Sequence, residues 1–320
     1  MNEQWHILMT TSPTATWFQS EEAYLCFESC RQWLDPFLVQ VHRGDRLVGS
    51  LLGYVTKEHF YLKQFFTARA VIYGGPLLAK DITGDELLQL LTRTKRESEK
   101  RKTIYTEIRN FRDFSRWRQI FEQVGFIYAP HYDIHIDTSV KSKMVARIHG
   151  SKLRVVHKAL ADGQSLVEAT TEGQVREWYQ SLRHLYKTKV HRPLWSCDFF
   201  LHLWREGYAK LLITIKKTDN SSGKKQEIGG IFCVKDDTTL YEWYICGSSL
   251  VTYGALEYAA DNGSQCFDLM GAGEPGVPYG VRDFKMQFGG ELKEFGRYHL
   301  ISKPLLYRLG KTFISLTSNH

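Results

Sequence analysis

Residues 267–290 contain the side chains best suited to chemistry. The apolar run 267–270 predicts a strand, and Gly271 and Gly273 follow at its end. Glycine allows close approaches that other residues forbid, and α/β proteins tend to hold ligands where a strand ends in such backbone beside positive charge. We therefore predict a substrate-binding site here, formed by Gly271, Gly273, Tyr279, Arg282, Phe284, Gly289 and Gly290.

Lys285 is the principal catalytic candidate. It lies between Phe284 and the Gly289-Gly290 pair, at the start of a predicted helix. A lysine ammonium is a mobile point charge that suits phosphate groups, or the negative charge that develops on a carbonyl oxygen. A surface lysine without a function is the alternative, and the glycine-rich context favours the catalytic interpretation.

Two carboxylates on predicted strands are further catalytic candidates. Glu242 should share one strand face with Tyr244, which we predict to bind substrate. Asp268 lies between Phe267 and Leu269. Because a buried carboxylate is costly without a partner, either side chain could be a general base or could bind a substrate amine. A structural salt bridge explains both equally well, and Asp268 could also orient Lys285 or Arg282, or cap a helix.

A basic segment lies between Asp137 and Asp162, where the chain has six Lys and Arg residues and no acid. Arg147, Arg154 and Lys158 would share one helix face. Uncompensated cations suggest contact with phosphates, so we predict that Lys152, Arg154 and Lys158 bind substrate. A solvated helix that happens to lack acids is the alternative.

Composition limits the class of protein. The chain has 320 residues, a net charge of +7 and an isoelectric point near 8.9, which favours two domains and an anionic partner such as a nucleic acid, a nucleotide sugar or a membrane surface. No run approaches the roughly 20 apolar residues of a membrane span, and we expect no signal peptide. The scattered cysteines are typical of buried free thiols in a reducing cytoplasm.

The order of predicted elements repeats. Each half gives strands, a helix, a strand, a helix and a strand, with 132–136 closing the first set and a polar loop at 219–227 in the second. We therefore predict an α/β fold of two related units with mixed central sheets, at 1–140 and 141–320. The motifs of serine hydrolases, P-loop proteins, dinucleotide-binding proteins and zinc proteases are missing. Their absence favours direct group transfer from an activated donor, without a cofactor or a metal.

The chain resembles the FemABX family, the aminoacyltransferases that build peptidoglycan interpeptide bridges. The resemblance is carried by residues 267–290, by Tyr73-Gly-Gly-Pro76, by the basic run 152–158 and by the strand at 241–244. It implies two tandem GNAT-like (acyl-CoA N-acyltransferase-type) domains, an aminoacyl-tRNA donor and a muropeptide precursor, lipid-linked or nucleotide-linked, as acceptor. It also implies that Lys285, with Phe284 beside it, lies by the tRNA acceptor end and the reacting ester.

Two features differ from relatives of this fold and leave alternatives open. Nothing between Thr188 and Cys197 could form the helical arm of some FemABX members, and the turn 247–249 lacks the loop with which acetyl-CoA enzymes hold pyrophosphate. An acyltransferase that uses acyl-CoA on a polysaccharide or another cell-envelope substrate is the second hypothesis, and a non-enzymatic module that binds nucleic acid or the envelope is the third. We expect a cytoplasmic protein. Its basic C-terminal stretch, 304–314, should dock on the protein's own core, with peripheral contact at the inner face of the membrane as the alternative.

Overall fold

Two units make up the chain. The computed structural model describes residues 3–57, 65–216 and 229–309, so the 219–227 loop and the end of the 304–314 stretch lie outside it. Contacts divide the chain into a first unit, Met1–His131 with Glu294–His320, and a second unit, Tyr132–Lys293. Each unit is built on its own mixed sheet.

The first unit has a sheet in the order β1-β2-β3-β5-β14-β6, with β4 paired to β2. Its strands are β1 Leu34–Arg43, β2 Arg46–Thr56, β3 Arg69–Gly74, β4 Leu77–Leu78, β5 Tyr105–Asn110, β6 Ile127–Ala129 and β14 Arg297–Ile301. Strands β1 and β2 form a hairpin across Gly44, whose φ of 59° suits the turn. Only β3 and β5 are parallel among the pairs described in this sheet.

Local sequence explains four helices that the structure describes in the first unit, α1 Glu3–Thr11, α2 Glu21–Ser29, α3 Gly84–Lys100 and α4 Arg118–Val124. Thr83 and Glu86 form a reciprocal capping box at the start of α3, and its leucines enter the core. Gly125 ends α4 in the left-handed conformation, which glycine adopts at no steric cost.

The second unit has a sheet in the order β13-β7-β12-β11-β10-β9-β8. Its strands are β7 Tyr132–Asp137, β8 Gln164–Glu168, β9 Lys210–Lys216, β10 Gly230–Lys235, β11 Thr239–Cys246, β12 Cys266–Gly271 and β13 Glu291–Glu294. Its helices are α5 Lys141–Ala146, α6 Gly150–Ala161, α7 Glu172–Leu185, α8 Cys197–Arg205, α9 Ser249–Asp261 and α10 Gly280–Met286.

Helices cover both faces of the second sheet. Residues of α5, α6 and α9 join the core on one face, which we call the α9 face. On the other face, which we call the aromatic face, Trp178 of α7 stacks on Phe232 of β10 at 5.6 Å between ring centroids, and Phe200 of α8 meets the same ring at 5.2 Å. The core on the α9 face is mainly aliphatic, whereas the other face is rich in aromatic rings.

The boundary between the units differs from the one expected at residue 140. Strand β7 pairs with β12 and belongs to the second sheet, so 132–136 does not close the first unit. Strand β14 pairs with β5 and β6 in the first sheet, where Tyr298 stacks on Phe121 at 3.9 Å between ring centroids. Sequence periodicity identifies a strand but not its partner, so it could not reveal this exchange.

The parallel strands behave differently in the two units. In the first, β3 and β5 stay paired to their ends, from Arg69 opposite Tyr105 to Gly74 opposite Asn110. In the second, the pairing of β11 with β12 ends at Tyr241 and Asp268, although both strands continue. The second sheet therefore opens between these two strands, and we call this gap the strand separation.

A β-bulge corrects the predicted face of Glu242. Phe232 of β10 lies opposite Tyr244, whereas its neighbour Cys233 lies opposite Glu242, which makes Trp243 the extra residue of β11. Consecutive residues of β10 point to opposite faces, so Glu242 and Tyr244 do as well. The expectation that they share one face was wrong because a bulge changes the alternation by one residue.

A fragment of residues 1–140 should not fold cooperatively, because it lacks the β14 strand that joins β5 to β6. Appending residues 294–309 through a flexible linker should restore a cooperative thermal transition, followed by circular dichroism. The same fragment with residues 294–309 in scrambled order is the matched control. Cooperative melting of the 1–140 fragment alone would contradict this role of β14.

Candidate active site

The strand separation holds the ammonium of Lys285. This lysine extends from α10, is 8% exposed and places Nζ at 2.9 Å from Oε1 of Glu242 on β11. The same Nζ donates to the backbone carbonyl of Leu269 and lies 3.5 Å from that of Gly271, both on β12. The lysine thus bridges two strands that no longer bond to each other, and two predicted catalytic residues meet.

Burial has the largest effect on the pKa of the Glu242 carboxyl. The residue is only 5% exposed, and this desolvation raises the pKa of its carboxyl despite the opposing effect of Lys285. The nearby Asp268 charge raises that pKa further. A carboxyl of raised pKa beside an ammonium can accept a proton nearer neutral pH than an ordinary glutamate, which suits general base catalysis.

One N–H group of the Lys285 ammonium makes only a long, weak hydrogen bond. Its three N–H groups correspond in number to three acceptors, the Glu242 carboxylate and the carbonyls of Leu269 and Gly271. At 3.5 Å the Gly271 contact is at the limit of a hydrogen bond. That N–H can therefore turn to a substrate oxygen with the smallest loss of hydrogen-bond energy.

Asp268 is bound within the protein. It is fully buried, its Oδ1 accepts the backbone N–H of Met270 at 2.7 Å, and its Oδ2 lies 3.2 Å from Nε2 of His135 on β7. Burial alone would lower the pKa of His135, but the Asp268 charge outweighs it and raises that pKa to about 10. At neutral pH His135 is therefore held as an imidazolium beside Asp268.

This pair shapes the end of β12. The register between β7 and β12 shifts after Asp268, and Met270 has a φ of 55°, which is uncommon for a residue other than glycine. The hydrogen bond from Met270 to Asp268 holds this bulge, and the carbonyls on either side of Met270 are the two that face Lys285. The sequence analysis missed His135, since its only signal is its position opposite Asp268.

Arg282 and Tyr279 hold the loop before α10. Arg282 donates to the carbonyls of Glu274, at 2.9 Å, and of Val277. Gly273 has a φ of 81°, and a Cβ there would lie 2.8 Å from the Tyr279 ring. Arg282 and Gly273 therefore have structural contacts in this loop, beside their predicted role in substrate binding.

The remaining glycines differ in their contacts. The carbonyl of Gly271 faces Lys285. A Cβ on Gly289 would lie 2.6 Å from the backbone oxygen of Arg147, and one on Gly290 would lie 2.4 Å from Cγ2 of Ile134. The Gly289-Gly290 pair thus permits close backbone packing next to α10.

The basic helix α6 lies beside α10. The Lys152 ammonium lies 4.2 Å from the centroid of the Phe284 ring, and His149 donates its backbone N–H to Gln287 at 2.8 Å. Arg154 and Lys158 are exposed on α6, and neither forms an ion pair with a described residue. The predicted cations of α6 therefore lie on the unit that carries Lys285.

Arg147 does not share a helix face with Arg154 and Lys158. The segment forms two helices, α5 and α6, because His149 is extended at the start of α6 and its side chain accepts the N–H of Ser151. Arg147 lies in the break and comes within 3.7 Å of Asp137. The single helix expected from the sequence was wrong, since an N-cap interrupts it.

Tyr244 is separate from Lys285. It lies on the aromatic face, where its ring meets Phe200 at 4.9 Å and Tyr186 at 6.4 Å between centroids.

A cavity of about 150 Å³ also lies in the second unit, lined by His135, Asp137, Arg147, Gln265, Cys266, Gly289 and Glu291. Lys285 does not line this cavity, so the strand separation is a distinct feature.

Comparison with known proteins identifies the fold. No protein-family model and no curated protein matches the chain. Among solved structures, FemX matches with a TM-score of 0.71 at 12% identity, over 97% of this chain and 98% of FemX. The C-terminal domain of a putative lysylphosphatidylglycerol synthetase from Agrobacterium fabrum matches with a TM-score of 0.57 at 9% identity, over 98% and 95% of the two chains.

A tandem GNAT protein from the clavulanic acid biosynthesis pathway matches with a TM-score of 0.55 at 14% identity, over 92% of this chain and 93% of that protein. The class of fold is therefore a tandem GNAT-like α/β fold, as the sequence predicts. Within that class the chain has a FemABX-like fold. In the described part of the chain no helix is long and apolar enough to cross a bilayer, and no His, Cys, Asp and Glu side chains cluster as a metal site.

Replacing His135 with glutamine should leave Asp268 buried without a cationic partner. We expect the free energy of unfolding to fall by about 2–4 kcal/mol near neutral pH. The folded-state pKa of His135 is raised from 6.5 to about 10, so its stabilisation is complete below pH 6.5 and is lost as the pH rises towards 10. Urea unfolding at several pH values should show that the difference in the free energy of unfolding between wild type and His135→Gln narrows from pH 6.5 to 10.

His157→Gln, on the exposed side of α6, is the matched control and should change stability by less than about 0.5 kcal/mol. A His135→Gln effect that stays constant from pH 6.5 to 10 would contradict the charged pair.

Gly289→Ala should destabilise the protein more than Gly263→Ala. Both glycines have positive φ, of 81° and 76°, and each alanine costs about 1–2 kcal/mol for the left-handed backbone. Gly263 has open space around the position of a Cβ, whereas Gly289 faces the Arg147 backbone, so Gly289→Ala should cost roughly 2 kcal/mol more. Thermal and urea unfolding measure both, and equal costs would show that the close approach at Gly289 is not rigid.

Proposed function

We propose that this protein is an aminoacyltransferase that moves an amino acid from aminoacyl-tRNA to the peptide amine of a peptidoglycan precursor. The observation that carries the proposal is the buried Lys285–Glu242 ion pair in the strand separation. A general base beside a cationic hydrogen-bond donor is what acyl transfer to an amine requires. The FemABX-like tandem GNAT fold supports this class of reaction.

The reaction exchanges an ester for an amide. The acceptor amine attacks the ester carbonyl carbon of the donor, negative charge develops on the carbonyl oxygen, and the bond to the ribose oxygen breaks. The amine loses a proton and the ribose oxygen gains one, so the products are an amide and a free ribose hydroxyl. The protein must therefore stabilise an oxyanion and move one proton.

Lys285 and Glu242 fit these two tasks. The N–H of Lys285 that now points to the distant Gly271 carbonyl would donate to the oxyanion or to the leaving ribose oxygen. Glu242, whose pKa is raised by burial, would take the amine proton and pass it to the ribose oxygen. Asp268 is held by His135 and Met270, so we assign it the task of shaping β12.

Two features favour aminoacyl-tRNA over acyl-CoA as donor. The first turn of α9 follows β11, and its residues Leu250 and Val251 are buried, with N–H groups that bond to Ser248. The first N–H groups of this helix therefore already have partners within the chain, which agrees with the missing acetyl-CoA loop at 247–249. Half-buried Lys152 against Phe284, with Arg154 and Lys158 exposed on the same helix, would instead suit RNA phosphates and a stacked base.

The acceptor rests on the FemABX resemblance. Either a lipid-linked or a nucleotide-linked muropeptide precursor would supply the amine, and both place the reaction in the cytoplasm or at the inner face of the membrane. The A. fabrum neighbour, a putative lysylphosphatidylglycerol synthetase by its description, agrees with an aminoacyl donor and a cell-envelope acceptor. No separate cofactor is needed, because the donor ester is already activated.

Lys285→Met should abolish most of the transfer. We expect the rate to fall by about 100-fold to 1,000-fold, the range for loss of one oxyanion donor. The assay follows a radiolabelled amino acid from a mixed aminoacyl-tRNA pool to lipid-linked and nucleotide-linked precursors. Wild-type transfer from acyl-CoA and not from aminoacyl-tRNA would overturn the donor assignment and support the second hypothesis.

A double variant separates catalysis from stability. Lys285→Met alone leaves Glu242 buried and unpaired, which should cost about 3–5 kcal/mol. Lys285→Met combined with Glu242→Leu removes both charges and should unfold closer to wild type, yet remain inactive. Activity in the double variant would contradict the roles given to both residues.

A further inference from the structure

A second basic surface lies on the unit that carries Lys285. From Trp178 to Cys197 the chain has no acidic residue, and six basic side chains in this stretch are exposed, namely Arg183, His184, Lys187, Lys189, His191 and Arg192. We call residues 183–192 the π-turn segment. The sequence analysis did not single it out.

The cations of the π-turn segment differ from their neighbours in lacking acidic partners. Arg205 reaches Glu172 at 2.5 Å, and Lys210 reaches Glu168 at 2.8 Å. None of the six basic side chains forms an ion pair with any residue that the structure describes. An unpaired cluster of this density favours an anionic partner with several charges.

The backbone of this segment is unusual. Helix α7 passes directly into a π-helical turn, Tyr186–Val190, which ends at His191 in the left-handed conformation with a φ of 51°. The N–H of His191 bonds to the carbonyl of Tyr186 at 2.8 Å and closes the turn. Such π turns are rare and occur often at functional sites, as does left-handed backbone outside glycine.

Aromatic rings flank the cations. Tyr186 is half-buried, and its ring lies 6.4 Å from that of Tyr244. Trp195 is also half-buried and stacks on Phe199 at 4.8 Å, while its carbonyl accepts the Tyr179 hydroxyl at 2.9 Å. Partly exposed rings beside exposed Lys and Arg are typical of surfaces that bind single-stranded nucleic acid.

The chemistry of the surface favours a nucleic acid over a membrane. No large apolar side chain is exposed between residues 161 and 214 of the described chain. A membrane-binding surface needs apolar groups that enter the lipid as well as cations. A sugar–phosphate backbone, by contrast, needs only spaced cations and, where its bases are unstacked, rings to stack on.

We propose that the π-turn segment binds the sugar–phosphate backbone of RNA. Tyr244, which touches the segment through Tyr186, lies on β11 two residues from Glu242, or about 7 Å along the strand. RNA bound here would therefore lie beside β11, on the face of the sheet opposite the Glu242 side chain. This inference rests on the proposed function, since it makes the segment a second contact for the tRNA donor, in addition to α6.

The test is a triple variant, Lys187→Gln with Lys189→Gln and Arg192→Gln, against a matched control. The control, Arg93→Gln with Arg96→Gln and Lys100→Gln, removes the same charge from exposed positions of α3 in the first unit. Binding of unfractionated tRNA is measured by fluorescence anisotropy over a range of salt concentrations. Melting temperatures establish that both variants are folded.

The π-turn variant should bind tRNA at least roughly tenfold more weakly, and its plot of log K against log salt should be less steep by about 2–3. Its KM for aminoacyl-tRNA should rise accordingly, whereas the α3 control should match wild type. Equal affinity and salt slope for the π-turn variant and the control would overturn the inference. Binding to vesicles of equal parts phosphatidylglycerol and phosphatidylcholine is measured in parallel, and a loss there alone would also overturn it.

The two proposals can fail separately. If wild type transfers from aminoacyl-tRNA but the π-turn variant binds tRNA normally, the function stands and the RNA surface does not. If wild type transfers from acyl-CoA alone but the π-turn variant loses tRNA binding, the RNA surface stands and the donor assignment does not.

Discussion

The buried ion pair between Lys285 and Glu242 is the interaction on which the second unit depends. Two charges with little exposure are stable only when they are paired and their remaining hydrogen-bonding groups are satisfied. The sheet meets this condition by opening between β11 and β12, so that strand carbonyls that would otherwise bond across the sheet accept the lysine. In the proposed reaction, a substrate carbonyl would replace the weakest of these contacts at this opening.

The shape of this opening depends on two bulges with different causes. The bulge at Trp243 turns Glu242 to the face opposite Tyr244. The bulge at Met270 is held by Asp268, whose own charge is balanced by His135. Each bulge therefore re-aims groups that face Lys285, which is how irregular strands commonly serve an active site.

The two units handle a buried carboxylate in different ways. In the first unit, Glu107 is desolvated, but Arg109 and Arg297 each donate to it at 2.8 Å and hold its pKa well below the usual range. In the second, Glu242 has one ammonium partner and its pKa is raised. Two guanidiniums outweigh desolvation and one ammonium does not. Glu107 is therefore a structural anion, whereas Glu242 is suited to proton transfer. This difference agrees with the strand pairing, since β3 and β5 stay paired to their ends and β11 and β12 separate.

Local sequence determined the elements and several of the site residues. The capping box at Thr83, the left-handed turn at Gly44 and the helix end at Gly125 all follow from side chains within a few residues of each other. Element order predicted two related α/β units, and the FemABX resemblance implied that these are tandem GNAT-like domains. Residues 267–290 could be selected because glycines, aromatics and a lysine at a strand end are rare together.

Only the tertiary structure decided which distant residues meet. Strand β14 lies in the first sheet, His135 lies opposite Asp268, and Glu242 meets Lys285 from the face that the bulge at Trp243 selects. Strand pairing joins residues that are far apart in sequence, and a one-residue shift turns every later side chain to the other face. Periodicity indicates that a strand exists, but it does not indicate the partner or the register of that strand. The sequence alone therefore selected Lys285, Glu242 and Asp268 as candidates, and the pairing of the sheet determined what each of them contacts.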